Sequence, residues 1–283
     1  MGASLVSVPP RALSPMRRVL YFLAFALAGY VLLALVIWWR QDDFVFPGRG
    51  LGVRAVDVAG VVTGSLAGGD GATFRTVRAP ARSPLAVVVF FVGNGEDLCS
   101  AARRAADLAE YGVTVWSCEY PGYGASTGAP GVASLFAAAD ALAARAGSEA
   151  AELGVPLVVA GASLGTFCAI HVAAAGHAAR CLLFAPPTTM AAAAARAFWW
   201  LPVRLLLRHR FDNLAVAPAV RCPVLVVHGD ADQVVPLALG QQLRAVLGGP
   251  AELLVVPGGG HNDVPLGPRG PVAGRVGPFL RGD

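Results

Sequence analysis

Hydrophobic residues at the front of the chain form one unbroken run, whereas further along they alternate with polar residues in shorter blocks. The run covers residues 19–39 and contains no charged residue. At about 1.5 Å per residue, a helix of this length spans about 30 Å, the thickness of a bilayer's hydrocarbon core. Trp38 and Trp39 stand at its end, and such side chains favour the membrane–water interface. The run therefore predicts a transmembrane helix.

The residues that flank this run predict its orientation. Arg11, Arg17 and Arg18 precede it, whereas Arg40 is followed closely by two aspartates. An excess of basic residues marks the cytoplasmic side. We therefore expect a cytoplasmic N-terminus and a remainder on the extracytoplasmic (periplasmic) side.

A cleaved signal peptide is the alternative interpretation of residues 19–39. Its apolar region is typically about 7–15 residues long and ends in a small-x-small cleavage site. This run is longer and ends in Ile-Trp-Trp-Arg. The pattern favours an uncleaved anchor, with a short basic segment at 1–18, a linker at 40–52 and a folded domain at 53–283.

Beyond the linker, the pattern predicts strands and helices in alternation. An opening hairpin is expected from the strand-like residues 53–62 and 74–78, with S-L-A-G-G-D-G between them. The later strands are predicted at residues 85–92, 113–120, 157–160, 181–185, 223–228 and 252–256. The helices are predicted at residues 97–111, 132–153, 166–175 and 237–247. Continuous apolar strands that alternate with helices indicate an α/β fold with a mostly parallel central sheet and helices on both faces.

Residues 188–220 interrupt this alternation and are too many for a simple connection. We interpret them as a helical cap inserted over the sheet edge. Phe198, Trp199 and Trp200 stand near several arginines. This apolar group either packs on the body of the domain or touches a membrane surface.

Composition excludes several functions. The net charge is +4, and all 22 basic residues are arginine, scattered along the chain without interleaved aromatic residues. This distribution argues against nucleic-acid binding. The five cysteines form no C-x-x-C pair and have no metal-like spacing, and their odd number argues against a complete disulfide framework. No metal or cofactor is implied.

Polar residues and glycines follow the ends of the predicted strands, where parallel sheets bind ligands. In G-A-S-L-G, Ser163 stands between a strand and a helix. A sharp turn of this kind exposes a serine hydroxyl, and small neighbours leave it room. The glycines also permit close helix packing, so the motif alone is weak.

A serine nucleophile requires a histidine base held by a carboxylate. Among five histidines, His261 lies in a glycine-rich loop after the last strand, which makes it the best candidate base. Asp232 lies in the loop after the 223–228 strand and is the expected acid, with Asp230 as the alternative. The order Ser163, Asp232, His261 is typical of an α/β-hydrolase.

In its motifs and in their order along the chain, the protein resembles the α/β-hydrolases. More narrowly, it resembles the single-pass, membrane-anchored serine hydrolases of the α/β-hydrolase-domain type. These are relatives of the serine-aminopeptidase-like and acyl-protein-thioesterase-like groups. The resemblance covers about residues 50–265. It depends on F-F-V-G-N-G-E, Y-P-G-Y-G-A-S-T-G, G-A-S-L-G, C-P-V-L-V-V-H-G-D-A-D-Q-V-V-P and G-G-G-H-N-D.

The resemblance implies an oxyanion hole formed by the backbone N–H groups of Asn94 and Leu164, with Gly95 in place of Asn94 as the alternative. The family usually has His-Gly-Asn where this chain has Val92-Gly93-Asn94. Residues 264–283 are rich in proline and glycine where relatives often close with a helix, so we expect weaker packing behind His261.

The sequence thus predicts a serine hydrolase that cleaves an ester, thioester or amide in a small-molecule or acylated substrate. An acyltransferase on the same fold and a catalytically silent, membrane-tethered binding protein are the alternatives. A dehalogenase would need a carboxylate at position 163. No pattern in the sequence specifies an oligomeric state.

Overall fold

The computed structural model describes residues 14–68 and 71–283, which form two compact units that divide after Gln41. The first contains helix α1 (Pro15–Trp39), whose N-terminus is capped by Ser14. This helix has no buried residue and is long and apolar enough to cross a membrane. The prediction at residues 19–39 therefore falls on a continuous helix. Most of the basic segment, including Arg11, lies outside the described residues.

The second unit, from Asp42 onward, contains the remaining helices and strands. Its helices are α2 (Gln41–Val45, which begins one residue earlier), α3 (Leu98–Ala109), α4 (Val132–Leu153), α5 (Gly165–Ala174), α6 (Met190–Ala197), α7 (Val203–Leu206), α8 (Asn213–Val216), α9 (Leu237–Val246) and α10 (Ala273–Arg281). Its strands are β1 (Val62–Ala67), β2 (Thr73–Ala79), β3 (Val87–Phe91), β4 (Thr114–Cys118), β5 (Leu157–Ala162), β6 (Arg180–Phe184), β7 (Val224–Gly229) and β8 (Ala251–Val256).

The eight strands form one sheet in the order β1-β2-β4-β3-β5-β6-β7-β8. The β1–β2 and β2–β4 pairs are antiparallel, and all later pairs are parallel. Every residue of β3, β4 and β7 is buried. Because successive residues of a strand point to opposite faces, helices must cover both faces of the sheet. The predicted α/β fold is confirmed.

The opening hairpin forms, but its first strand lies later than expected. Strand β1 includes Ser65, Leu66 and Ala67, which the sequence pattern assigned to the turn, and residues 53–61 contain no strand. The β1 residues are mostly exposed on the sheet edge. An edge strand without a buried face lacks a strong hydrophobic pattern, and this explains the shift.

Residues 40–52 differ from the expected plain linker. Val45 and Phe46 are buried in the core of the second unit. The ring of Phe46 packs edge-on against His209 and Phe211 of the cap. Because this packing is part of the domain core, the compact unit begins at Asp42 rather than at residue 53.

The cap is helical, as predicted, and contains the short helices α6, α7 and α8. The expectation for the C-terminal tail is wrong. Helix α10 closes the chain despite Pro278, and its side chains Val276 and Leu280 are fully buried. The apolar positions of this helix override its unfavourable proline and glycine content.

Candidate active site

Ser163 occupies a strained turn between β5 and α5. Its φ of 50° lies in the left-handed region, which L-residues with a side chain rarely adopt. Its N–H donates to the Phe184 carbonyl at 2.9 Å. A Cβ on Gly165 would overlap the carbonyl of Phe91, so only glycine allows α5 to begin this close to β3. The turn therefore has the geometry expected for an exposed serine nucleophile.

The three residues expected to act together are adjacent. The Nε2 atom of His261 lies 3.0 Å from Ser163 Oγ, and its Nδ1 atom lies 2.7 Å from Asp232 Oδ2. An ionised carboxylate only accepts hydrogen bonds, so the Nδ1 proton of His261 donates to Asp232. This tautomer leaves the Nε2 lone pair facing the serine hydroxyl. The arrangement suits proton transfer from Ser163 to His261.

Asp232 is held ionised by its surroundings. Burial by itself would raise its pKa, but hydrogen bonds from His228, His261 and the N–H of Val235 outweigh burial and lower the pKa well below its ordinary value. The N–H groups of Val234 and Val235 both donate to Oδ1 at 2.8 Å. The carboxylate is therefore fixed both in position and in charge.

The other candidate residues lie elsewhere. Asp230 accepts a hydrogen bond from the N–H of Gly258, so it stabilises the loops after β7 and β8 rather than contacting His261. His171 stacks on a phenylalanine ring, and His177 is exposed. His209 lies in the cap, where it contacts Asp42. None of these four replaces His261 or Asp232.

The turn that follows β3 carries Asn94 and Gly95. Within the described residues, the backbone N–H groups of Asn94 and Leu164 donate no hydrogen bond to the protein. The Gly93 N–H donates to Glu96 Oε2 at 2.6 Å. The second oxygen of Glu96 accepts from Arg104 Nε at 2.9 Å. Glu96 thus fixes a turn that leaves the Asn94 amide available for a ligand.

Sequence reasoning missed Glu96 and Arg104. Both line a small cavity that also contains Ser163 and His261. The large apolar side chains that line this cavity are Phe184, Val227, Val264 and Leu266. The only sequence signal for Glu96 was its position directly after the predicted oxyanion turn. In the ranges 14–68 and 71–283, no group of three or more His, Cys, Asp or Glu residues is arranged to hold a metal ion.

The Y-P-G-Y-G-A-S motif supports this turn from the neighbouring strand. The hydroxyl of Tyr120 donates to the Val92 carbonyl at 2.7 Å, and that of Tyr123 donates to the Asn94 carbonyl at 2.9 Å. Glu119, which accepts from the Ala125 N–H, is largely buried, and burial raises its pKa. These contacts give the motif a structural role in holding the Asn94 turn.

Two family models match the second unit. One is described as serine aminopeptidase S33 and matches residues 82–216, and the other is described as TAP-like protein and matches residues 206–281. The chain belongs to the α/β-hydrolase superfamily. The two matches together include the Ser163 turn, the cap and the Asp232 and His261 loops of this α/β-hydrolase.

Curated relatives cover the same region. An uncharacterized protein of Mycobacterium tuberculosis is 36% identical over 176 residues, which cover 62% of this chain and 62% of that protein. The human alpha/beta hydrolase domain-containing protein 17B is 28% identical over 184 residues, covering 63% of this chain and 61% of the relative. The match therefore spans less than two thirds of these relatives.

Solved structures share the fold at low sequence identity. The esterase Pf2001 of Pyrococcus furiosus has a TM-score of 0.65 and 17% identity, with 81% of this chain and 95% of that chain covered. A membrane phospholipase A has a TM-score of 0.58 and 19% identity, with 94% and 98% covered. These likenesses establish the fold of the α/β-hydrolase unit and leave its reaction to the site itself.

Proposed function

We propose that the protein is a serine hydrolase that cleaves an ester, thioester or amide bond through an acyl-enzyme on Ser163. The observation that carries this proposal is the continuous hydrogen-bonded array from Ser163 Oγ through His261 to Asp232. A serine hydroxyl is weakly nucleophilic unless an adjacent base accepts its proton. Here a base faces the hydroxyl, and a buried carboxylate fixes the tautomer of that base.

In the proposed reaction, Ser163 Oγ attacks the acyl carbonyl while its proton passes to His261 Nε2. The resulting oxyanion accepts hydrogen bonds from the Asn94 and Leu164 N–H groups. When the tetrahedral intermediate collapses, the leaving alcohol, thiol or amine takes the proton from His261. Water then attacks the acyl-enzyme with His261 as the base, and the carboxylic acid is released.

The cavity beside Ser163 suggests the substrate class. Its lining includes four large apolar side chains as well as the Glu96–Arg104 pair. We expect an apolar acyl group to contact these apolar side chains, because burying it there removes hydrocarbon from water. The candidate substrates are therefore esters, thioesters or amides with an apolar acyl part.

We also propose that residues 19–39 anchor the enzyme in a membrane, with the N-terminus in the cytoplasm and the catalytic unit on the extracytoplasmic side. The support is the apolar helix α1 and the arginines before it. An apolar acyl substrate and a membrane anchor are compatible, since such substrates partition into bilayers.

A fluorophosphonate probe tests the proposed activity. It should label the wild-type protein, and labelling should be lost in Ser163→Ala and strongly reduced in His261→Ala. A folded wild-type protein that stays unlabelled would support the catalytically silent alternative. Labelling without release of free acid, but with acyl transfer to an added alcohol, would instead support an acyltransferase.

A further inference from the structure

The cap presents large apolar side chains to solvent. Trp199 is 82% exposed and Leu205 is 79% exposed, and nearby Phe44 is 51% exposed. Phe44 contacts Phe198, the residue before Trp199, with ring centroids 5.5 Å apart. We call Phe44, Trp199 and Leu205 the cap face. Contiguous apolar patches that are exposed on a protein surface mark interaction sites.

The same part of the chain is basic. Residues 188–220 contain four arginines and one aspartate. The four arginines are exposed: Arg196, Arg204, Arg208 and Arg210. Arg208 pairs with Asp42, whereas the hydrogen-bond partner of Arg196 is the uncharged Gln233. The cap therefore carries exposed positive charge as well as exposed apolar side chains.

The position of the cap relative to α1 along the chain indicates which kind of partner fits the cap face. Asp42 contacts Arg208 and His209, both at 2.8 Å, so the first residues of the compact unit are fixed to the cap. Only Arg40 and Gln41 separate Asp42 from the end of α1. Even fully extended, this chain reaches about 11 Å at roughly 3.6 Å per residue. If residues 19–39 span a bilayer, Asp42 lies within about this distance of the end of the span, and Arg208 and His209, which contact Asp42, lie near it.

We propose that the cap face rests on an anionic lipid surface. Trp199 and Leu205 insert at the boundary between headgroups and acyl chains, and the arginines of the cap bind lipid phosphates. Tryptophan favours this boundary, and arginines near an anionic surface are attracted to it. A protein partner would not require the cap to lie within this reach of the membrane.

This lipid contact would also bring the membrane beside the catalytic edge. The Arg196–Gln233 hydrogen bond joins the cap to the loop directly after Asp232. The lipid contact rests on the proposed membrane anchor at residues 19–39 but not on hydrolase activity, since it concerns only the surface of the cap.

The test uses the full chain in nanodiscs of phosphatidylcholine, with or without phosphatidylglycerol. Leu205→Cys is labelled with a fluorophore, and quenching by nitroxide-labelled lipid is measured. The matched control is Leu153→Cys, which is 46% exposed at the end of α4, before β5 begins. Both variants carry Cys222→Ala, because Cys222 is the described cysteine that is only half-buried.

We expect several-fold stronger lipid quenching at position 205 than at position 153, and stronger quenching when phosphatidylglycerol is present. Arg204→Glu should reduce the part of the quenching at position 205 that depends on phosphatidylglycerol. Equal quenching at the two positions would overturn the proposal. So would protection of position 205 from a water-soluble quencher without quenching by lipid, because a protein would then cover the cap face.

Discussion

The left-handed backbone at Ser163 leads to a prediction about folding stability, which can be tested without any assay of activity. Ser163→Gly and Ser163→Ala both remove the hydroxyl and so lose the same hydrogen bond to His261. They differ in the residue that must adopt a φ of 50°. Alanine retains a Cβ that is strained in this region, whereas glycine does not.

The magnitude follows from two opposing effects. The left-handed conformation costs an L-residue about 1–2 kcal/mol. Glycine avoids this strain, but it also makes the unfolded chain more flexible. The extra entropy lost on folding costs about 0.5–1 kcal/mol and offsets part of the gain in stability. We therefore expect Ser163→Gly to be about 1 kcal/mol more stable than Ser163→Ala. For a domain of this size, that difference corresponds to a rise in Tm of about 2–4 °C.

Calorimetry or chemical denaturation of the full chain in detergent measures this difference. The matched control is Ser148, which is exposed within the regular helix α4. There the order should reverse, since glycine in a helix interior is about 1 kcal/mol less favourable than alanine. If Ser163→Gly is no more stable than Ser163→Ala while the Ser148 pair behaves as expected, the strained turn is refuted.

The remaining predictions concern the triad, the oxyanion turn and the membrane anchor. Asp232→Asn should lower kcat by about 10⁴ at neutral pH, because the His261 tautomer is no longer fixed. Because the pKa of Asp232 is lowered in the folded state, its ionised form stabilises the fold above about pH 3.8. The difference in unfolding free energy between wild type and Asp232→Asn should therefore shrink in an acid titration as the pH falls below that value. Glu96→Ala should slow acylation by about 10–10², because the Asn94 amide is displaced. This loss should be smaller than the factor of about 10²–10³ in rate that is lost when an oxyanion-hole donor is removed altogether. The control Arg103→Ala, an exposed neighbour of Arg104 on α3, should leave the rate unchanged, and an equal effect of both substitutions would contradict the role of Glu96. A reporter that is active only outside the cytoplasm, fused after Asp283, should give signal, and a stably expressed but silent fusion would reverse the proposed orientation.

The sequence predicted most of the sheet because its central strands are buried on both faces. Continuous apolar runs such as residues 85–92 and 223–228 therefore mark β3 and β7 directly. The same pattern failed at β1, since an exposed edge strand needs no apolar face. It also failed at α10, where Val276 and Leu280 pack despite proline and glycine around them.

For the candidate site, the three residues that the sequence singled out for chemistry are adjacent in the structure, whereas the residues that position them were missed. Ser163, Asp232 and His261 follow strand ends, and parallel topology gathers such ends at one edge. Glu96 acts locally, on the N–H of Gly93 three residues before it, and was missed because no motif marks it. The role of Phe46 depends on contacts across the fold, with rings of the cap. No local spacing rule encodes contacts of this kind.

Mass analysis of the trapped acyl-enzyme tests the central claim most directly. After rapid mixing with an activated acyl ester and acid quench, cleavage at arginine should release residues 146–180 as one peptide that contains Ser163. We predict that this peptide carries the acyl group on Ser163 and that Asp232→Asn slows its formation. An acyl group on another residue, or turnover without any covalent acyl-enzyme, would contradict the proposed mechanism.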